Sequence, residues 1–131
     1  MNEIIRFDCP SAPRPLGNYC HAVGYGDLIF VSGIASRDFE TDTVPGLKMD
    51  SAGNKLSYDI RLETKATLEN IKKILSDAGS DLEHVLEVSV FLLTMKDFAA
   101  YNEVFAIYFP KLHPARTTVA VSGLPGNIAI E

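Results

Sequence analysis

The feature that most constrains the fold is a helix-like hydrophobic period in the middle of the chain. From Asp59 to Ala78, apolar and small side chains recur every three or four residues, which is the spacing of one face of a helix. Gly79 follows as a C-terminal cap, and Ser57 or Asp59 is available as the N-terminal cap. The pattern predicts an amphipathic helix that must bury its apolar face against another element.

A strand and a second helix follow the first. The segment from Val85 to Leu93 is β-branched and apolar, with only Glu87 and Ser89 polar, which is typical of a strand covered on both faces. Residues 94–97 then resemble a capping box, and a proline ends the pattern at position 110. These signals predict a helix over residues 97–109, with an aromatic stripe formed by Phe98, Tyr101, Phe105 and Tyr108.

Four further stretches carry the pattern of strands. Tyr19 to Val23 and Leu28 to Ser32 flank the turn-rich residues 24–27, which predicts a hairpin. Near the end of the chain, two runs rich in β-branched residues are bounded by glycine and proline, and they predict two more strands, Thr117 to Val121 and Asn127 to Ile130.

The remaining segments carry weaker signals. Residues 1–16 contain three prolines, so they should form an irregular or edge segment rather than a helix or a central strand. Residues 38–54 are polar and contain proline and glycine, which indicates a loop. Within that loop we expect one short strand near Leu47 to Met49.

Together these elements predict one α+β domain over residues 1–131. Strand–helix–strand crossovers are right-handed, so both helices should pack on one face of a single mixed sheet. Too few helices remain to cover the other face, although the strand around Val90 is apolar on both sides. We therefore expect the uncovered face to pack against other subunits in a closed homo-oligomer.

Charge and cysteine content narrow the classes of function. Seventeen acidic against twelve basic residues give a net charge of -5, and no lysine or arginine cluster is present to follow a phosphate backbone. General nucleic-acid binding is therefore disfavoured. Cys9 and Cys20 form neither a CxxC motif nor a ligand cluster, and we expect free thiols in the reducing cytoplasm, without a signal peptide.

Membrane and metal sites are also disfavoured. No apolar run approaches the roughly 18 residues that a membrane span needs. His21, His84 and His113 have no ligand-like spacing, and the acidic residues do not complete a metal motif.

The last strands carry the residues best suited to chemistry. Alternation places Arg116, Thr118 and Ala120 on one face of their strand. If the two terminal strands form a hairpin about residues 124–125, Thr118 lies opposite Glu131 and Arg116 lies diagonally near it. The alternative is that the return strand pairs elsewhere.

Each of these residues has a structural and a functional interpretation. Arg116 is either a surface or salt-bridging arginine or a fork-shaped cation that binds a substrate carboxylate. Glu131 either points into solvent or positions a water molecule and relays a proton. By themselves, Asn102 fits an exposed helix position and Tyr19 a half-buried strand position, and residues 32–33 fit a strand end.

Several motifs resemble the Rid family of enamine/imine deaminases over nearly the whole chain. In chain order they are Leu16-Gly17-x-Tyr19, Phe30-Val31-Ser32-Gly33, Thr67-Leu68-Glu69-Asn70-Ile71, Asp97-Phe98 to Asn102, Pro114-Ala115-Arg116-Thr117, Leu124-Pro125 and Ile130-Glu131. The 2-aminomuconate deaminase branch is the most similar, on the segments Ser36-Arg37, Asp59-Ile60-Arg61, Asn102-Glu103-Val104 and Ala115 to Val121.

The resemblance implies a chorismate-mutase-like α+β fold, a homotrimer with active sites in clefts between subunits, and a reaction without a cofactor. It implies that Arg116 holds the substrate carboxylate and that Glu131 positions the attacking water. The pocket would be lined by Tyr19, Ser32, Gly33, Asn102 and Thr118. Many family members carry a cysteine where this chain has Thr118, which argues against thiol chemistry and keeps a hydroxyl beside Arg116.

The expected reaction is hydrolysis of a small carboxylate-bearing imine or enamine to a 2-oxo acid and ammonia. Candidate substrates are 2-aminoacrylate-type 2-imino acids and 2-aminomuconate. Because the family usually continues its last strand beyond the position of Glu131, we expect this glutamate to be frayed. The alternatives are a non-catalytic binder of small 2-oxo or carboxylate metabolites and, against the acidic charge balance, an endoribonuclease.

Overall fold

The computed structural model describes residues 2–131. Strands and helices of an α+β protein follow one another as β1 (Ile4–Phe7), β2 (Ala22–Tyr25), β3 (Leu28–Val31), β4 (Lys48–Met49), β5 (Lys55–Ser57), α1 (Ile60–Asp77), β6 (Glu87–Leu92), α2 (Phe98–Tyr108) and β7 (Ala115–Ala120). Short 3-10 turns lie at Leu82–His84, Met95–Asp97 and Pro125–Asn127. Both predicted helices are confirmed within two residues at each end.

Helix α1 is capped at both ends by the predicted residues. The Asp59 carboxylate accepts hydrogen bonds from the backbone N–H groups of the second and third helical residues, at 3.0 and 3.1 Å. At the other end Gly79 has φ +80°, and the N–H of Ser80 donates to the carbonyl of Leu75 at 2.8 Å. This is a Schellman ending, in which glycine takes the left-handed position at least cost.

The first three strands form an antiparallel sheet in the order β1-β2-β3. The predicted hairpin is confirmed, with Tyr25 opposite Leu28 and Gly26 at φ +59° in the turn. Its first strand begins at Ala22, so the prediction that Tyr19 lies in a strand is wrong. Strand β1 lies at the sheet edge. Of the two expectations for the proline-rich N-terminal segment, irregular or edge structure, the edge strand is therefore confirmed for these residues.

The loop before α1 contains a second small hairpin. Strand β4 confirms the expected short strand near Met49, and it pairs antiparallel with β5. Strand β5 was not predicted, because Lys55-Leu56-Ser57 has neither β-branched residues nor alternation longer than one cycle.

Strand β6 has a neighbour on both edges. On one edge it pairs with β7 in parallel, with Val88 opposite Arg116. On the other edge Ile130 forms an antiparallel bridge with Leu92, and the backbone groups of Glu131 and Phe91 exchange hydrogen bonds of 2.9 and 3.0 Å. The predicted hairpin between the two terminal strands is therefore wrong, and so is the expectation that Glu131 is frayed.

The physical reason for this pairing is the composition of β6. An apolar strand is most stable with both edges paired and its helix-facing side buried. The chain leaves β7, passes the end of β6 through a turn in which Gly126 and Asn127 have φ of 71° and 61°, and returns on the far side. Residues 128–130 are buried as a result. Most of the predicted strand from Asn127 to Ile130 is thus a turn followed by a short bridge.

The expected single mixed sheet is replaced by three separate hydrogen-bonded sheets, β1-β2-β3, β4-β5 and β6-β7. The ladder is interrupted after β3 because the next segment binds α1 instead. Asn70 of α1 donates to the carbonyls of Ala35 and Arg37 at 2.9 and 3.0 Å, and Ser36 donates to Glu63 at 3.0 Å.

Both helices pack on the same side of β6, as predicted. The larger core joins α1, α2, β6 and the terminal segment through Leu68, Leu92, Tyr101, Phe105 and Ile130. A smaller core places Ile74 of α1 against Ala22 of β2. Within residues 2–131 no helix is long and apolar enough to cross a membrane.

The opposite side of the strands carries exposed apolar residues. We call this the outer face, and its members by strand parity are Ile4, Tyr25, Leu28, Phe30, Phe91 and Val119. Phe30 is 60% exposed, although its neighbours in β3 are half-buried. The expected uncovered face is therefore present, with neither helix on it.

We predict that Gly79→Ala lowers the free energy of unfolding by about 1–2 kcal/mol, because alanine is strained in the left-handed conformation. The measurement is chemical denaturation. Gly123→Ala is the matched control, since Gly123 has no positive φ and an added methyl group meets no atom there. Equal stabilities of the two variants would contradict the role of Gly79.

Candidate functional site

The Arg116 side chain lies on the aromatic stripe of α2. Its guanidinium carbon is 5.7, 5.2 and 4.7 Å from the ring centroids of Phe98, Tyr101 and Phe105. These three residues recur on one helix face at the spacing that places side chains in neighbouring turns. Three of the four residues of the predicted stripe therefore form a platform for Arg116, stabilised by cation–π attraction, whereas Tyr108 donates a hydrogen bond to Glu69.

A single hydrogen bond sets the orientation of this guanidinium. Its Nη1 donates to Oδ1 of Asn102 at 2.8 Å, so a predicted site residue on α2 holds a predicted site residue on β7. The ion pairs found among residues 2–131 involve Arg37, Arg61 and His84, and none involves Arg116. Arg116 therefore keeps donors and a positive charge for an anionic ligand.

Thr118 lies two residues further along the same face of β7. Its hydroxyl and that of the buried Tyr101 are hydrogen-bonded to each other. We call Arg116, Asn102, Thr118 and Tyr101 the arginine half-site. It offers a cation beside polar groups on an aromatic base, which suits a small planar carboxylate.

A second group of predicted residues gathers around Glu131. A methyl group built on Gly33 would lie 3.0 Å from the Glu131 carboxyl carbon and closer still to Oε1, so the carboxylate rests against the bare glycine backbone. Ser32 precedes that glycine, and its hydroxyl donates to the carbonyl of Cys20 at 2.6 Å. We call Ser32, Gly33 and Glu131 the glutamate half-site.

Tyr19 lies next to the glutamate half-site in the chain, one residue before the Cys20 carbonyl that Ser32 binds. Its ring is half exposed, and its hydroxyl accepts a hydrogen bond from the N–H of Leu16 at 3.1 Å. It contacts neither Arg116 nor Glu131 through a hydrogen bond.

The two half-sites lie apart within one chain. Arg116 is opposite Val88, so it points to the helix side of β6, whereas Glu131 is opposite Phe91 and points to the outer face. Strand β7 and the terminal segment also occupy opposite edges of β6. One chain therefore does not bring Arg116 and Glu131 to a common substrate.

A groove beside the free part of the β6 edge does not join them. Its lining includes Tyr101 of the arginine half-site and Glu131, but Arg116, Asn102 and Thr118 do not line it. Most of its lining is apolar and it contains no cation, so a carboxylate would find only hydroxyl groups there. Within residues 2–131 no three His, Cys, Asp or Glu side chains converge in a group that could hold a metal ion.

Glu63 contacts the segments that lead to Gly33 and Glu131, but it was not selected as a candidate residue from the sequence. It lies on α1, its side chain is fully buried, and its Oε1 accepts hydrogen bonds from Ser36 Oγ at 3.0 Å and from the N–H of Ala129 at 2.9 Å. Burial raises the pKa of this carboxyl above its ordinary value. The signal was available, since position 63 follows Ile60 by three residues and belongs to the buried helix face.

Comparison with known proteins shows the family of this chain. The family model described as endoribonuclease L-PSP matches residues 9–131. The chain belongs to the endoribonuclease L-PSP family. A RutC family protein of Pyrococcus abyssi is 42% identical to this family member over 92% of the chain and 86% of its own length.

Other relatives connect the endoribonuclease L-PSP family to imine chemistry by name. The chloroplastic reactive intermediate deaminase A of Arabidopsis thaliana is 34% identical over 92% of the chain and 58% of its own length. A 2-iminobutanoate/2-iminopropanoate deaminase of Dermatophagoides farinae is 30% identical over 93% and 87%. The expected kinship with Rid-type deaminases is confirmed for the family, while the 2-aminomuconate branch stays a prediction.

A solved structure confirms the fold. A Thermotoga maritima protein with the same endoribonuclease designation superposes with a TM-score of 0.80 at 37% identity, covering 92% of this chain and 87% of that one. The α+β architecture with two helices and small sheets is therefore that of the L-PSP family.

We predict that Gly33→Ala displaces the Glu131 carboxylate while the backbone pairing of Glu131 with Phe91 persists, because the added methyl group meets a flexible side-chain end. The overpacking should cost roughly 1 kcal/mol of stability. A crystal structure and denaturation of the variant measure both effects. In a Glu131→Ala background the same change should cost nothing; an equal cost there would contradict the contact.

Proposed function

We propose that this protein hydrolyses a small imine or enamine that carries a carboxylate, releasing a 2-oxo acid and ammonia. The observation that carries the proposal is Arg116, an unpaired cation held by Asn102 on the aromatic platform. The names of the deaminase relatives support the reaction class. Neither half-site requires a cofactor for this chemistry.

Each residue of the two half-sites has a separate role in this proposed reaction. Arg116 binds the substrate carboxylate with charge-assisted hydrogen bonds, and the Asn102 and Thr118 side chains border the bound molecule. An enamine first moves a proton from nitrogen to carbon and becomes an imine. Water then adds to the imine carbon, and the resulting carbinolamine expels ammonia to leave the 2-oxo acid. Glu131 orients that water, accepts its proton and returns the proton to the substrate nitrogen; the carbinolamine hydroxyl proton likewise passes to nitrogen as ammonia leaves.

This assignment needs two copies of the chain. Since Arg116 and Glu131 lie on opposite sides of β6, the proposed site forms where the arginine half-site of one subunit meets the glutamate half-site of a neighbour. Such head-to-tail contact closes into a ring, and we propose the homotrimer implied by the family resemblance. The exposed apolar outer face supports burial of this surface between subunits.

The identity of the substrate is a separate and more specific proposal. The segments around Arg37, Arg61 and Asn102 resemble 2-aminomuconate deaminases, whereas a relative bears the name of a deaminase of short 2-imino acids. Comparing kcat/KM for 2-aminoacrylate generated in situ and for 2-aminomuconate decides between them.

We predict that Arg116→Ala lowers kcat/KM for ammonia release by about 10–100-fold, since one charge-assisted hydrogen bond contributes roughly 1.5–3 kcal/mol. Arg116→Lys should recover only part of the loss, because an ammonium lacks the fork geometry. An unchanged rate in Arg116→Ala would sink the proposal. Thermal stabilisation by 2-oxo acids without any turnover would instead identify a binding protein.

We predict that mixing two impaired variants, Arg116→Ala and Glu131→Ala, raises activity above that of either variant alone after subunit exchange. In a randomly mixed trimer with inter-subunit sites, about a quarter of wild-type activity is expected. Arg116→Ala mixed with Asn102→Ala is the matched control, because both changes affect the same half-site and mixing should not exceed the average of the two. Absence of rescue would contradict a shared site.

The endoribonuclease designation of the family makes RNA the necessary control substrate. With a net charge of -5 we expect neither RNA cleavage nor salt-dependent RNA binding. Cleavage that is lost in Arg116→Ala would replace the deaminase proposal by a nuclease.

A further inference from the structure

The buried carboxyl group of Glu63 connects two segments that are distant in sequence. One oxygen, Oε1, accepts from the Ser36 hydroxyl at 3.0 Å and from the Ala129 N–H at 2.9 Å. Ser36 follows Gly33 by three residues, and Ala129 precedes Glu131 by two. Both segments lead directly into the glutamate half-site.

The second oxygen of Glu63 is unusual for a buried group. Oε2 has no hydrogen-bond partner among the described residues, although the side chain is fully buried. An ionised carboxylate would leave charge on that oxygen without compensation, at high cost. A neutral acid keeps Oε1 as a carbonyl acceptor for both donors and places its proton on Oε2, where an unpaired hydroxyl costs less than an unpaired charge.

The surrounding charges do not reverse this conclusion. Lys55 from β5 favours the ionised form of Glu63, whereas Asp97 from the turn before α2 opposes it, and the nearby Tyr58 hydroxyl donates to Asp97 at 2.6 Å. The hydrogen bonds from Ala129 and Ser36 also favour the ionised form, but loss of hydration exceeds all these contributions and raises the pKa of Glu63. The carboxyl therefore binds a proton at pH values where an exposed glutamate has lost it.

We propose that Glu63 is a positioning residue: in its neutral form it holds the Gly33 segment and the Glu131 segment together and thereby aims the Glu131 carboxylate. This role rests on the proposed deaminase function. Asn70 reinforces one side of the arrangement, because it binds the carbonyls on either side of Ser36. The arginine half-site shares no hydrogen bond with Glu63 among the described residues, so substrate binding and water positioning are separable.

The test compares Glu63→Gln, Glu63→Ala and Ser36→Ala, with Glu69→Gln as the matched control. Glu69 is on the same helix, and it accepts one hydrogen bond, from Tyr108 at 2.7 Å. Glutamine retains the Oε1 acceptor without a charge, whereas alanine removes it. We expect Glu63→Ala to lower kcat by about 10–100-fold with little change in KM, and Ser36→Ala to do so more weakly. Glu63→Gln and Glu69→Gln should retain wild-type kcat.

Two further measurements do not depend on activity. Amide hydrogen exchange at Ala129 and Glu131 should accelerate in Glu63→Ala and Ser36→Ala but not in Glu63→Gln. Stability should also respond to pH. The folded carboxyl binds its proton above the ordinary value of 4.5, so wild-type stability falls as pH rises through the raised pKa, while Glu63→Gln shows no such loss.

The outcomes are distinguishable. Unchanged kcat and unchanged exchange in Ser36→Ala and Glu63→Ala overturn the positioning role. A Glu63→Gln variant that behaves like Glu63→Ala, or that has the pH dependence of the wild type, overturns the neutral form. If the wild-type protein releases no ammonia, the proposed function fails, and the exchange measurements still decide whether Glu63 holds the Glu131 segment.

Discussion

The position of β6 between two unlike neighbours is the constraint on which the rest of the structure depends. Its parallel pairing with β7 and its antiparallel pairing with the terminal segment place Arg116 and Glu131 on different edges and different faces. The helix-facing side chains of β6 form the main core with α1 and α2. The same strand thus organises the core and divides the candidate site into two halves.

Besides strand pairing, polar side chains of α1 and α2 hold parts of the candidate site in position. Asn102 orients the guanidinium of Arg116 from α2, and Glu63 joins two backbone segments from α1. These contacts differ in environment: Asn102 is exposed, and Glu63 is fully buried. The contact of Asn102 with Arg116 is therefore open to solvent, whereas the contacts of Glu63 with Ser36 and Ala129 lie inside the protein.

The features that depend on interactions between residues close in sequence were predicted correctly. The period of α1, its Asp59 cap and its Gly79 ending follow from short-range rules, and the aromatic stripe of α2 follows from helical spacing. The predicted terminal hairpin and the predicted single sheet were wrong. The first depends on long-range pairing of β7 and Glu131 with opposite edges of β6, and the second on hydrogen bonds from Asn70 and Glu63 to the segment after β3. Glu63 was missed because a glutamate on a helix is ordinarily exposed.

The sequence by itself determined the helices, the strand alternation that places Thr118 beside Arg116, and the family resemblance that selects Arg116, Glu131 and their companions. These are properties of neighbouring residues and of motifs. Only the tertiary structure decided that Arg116 rests on three aromatic rings, that Glu131 lies against Gly33, and that the two residues face away from each other within one chain. Such relations depend on which edges pair and which buried polar groups find partners, and these contacts join residues far apart in the sequence.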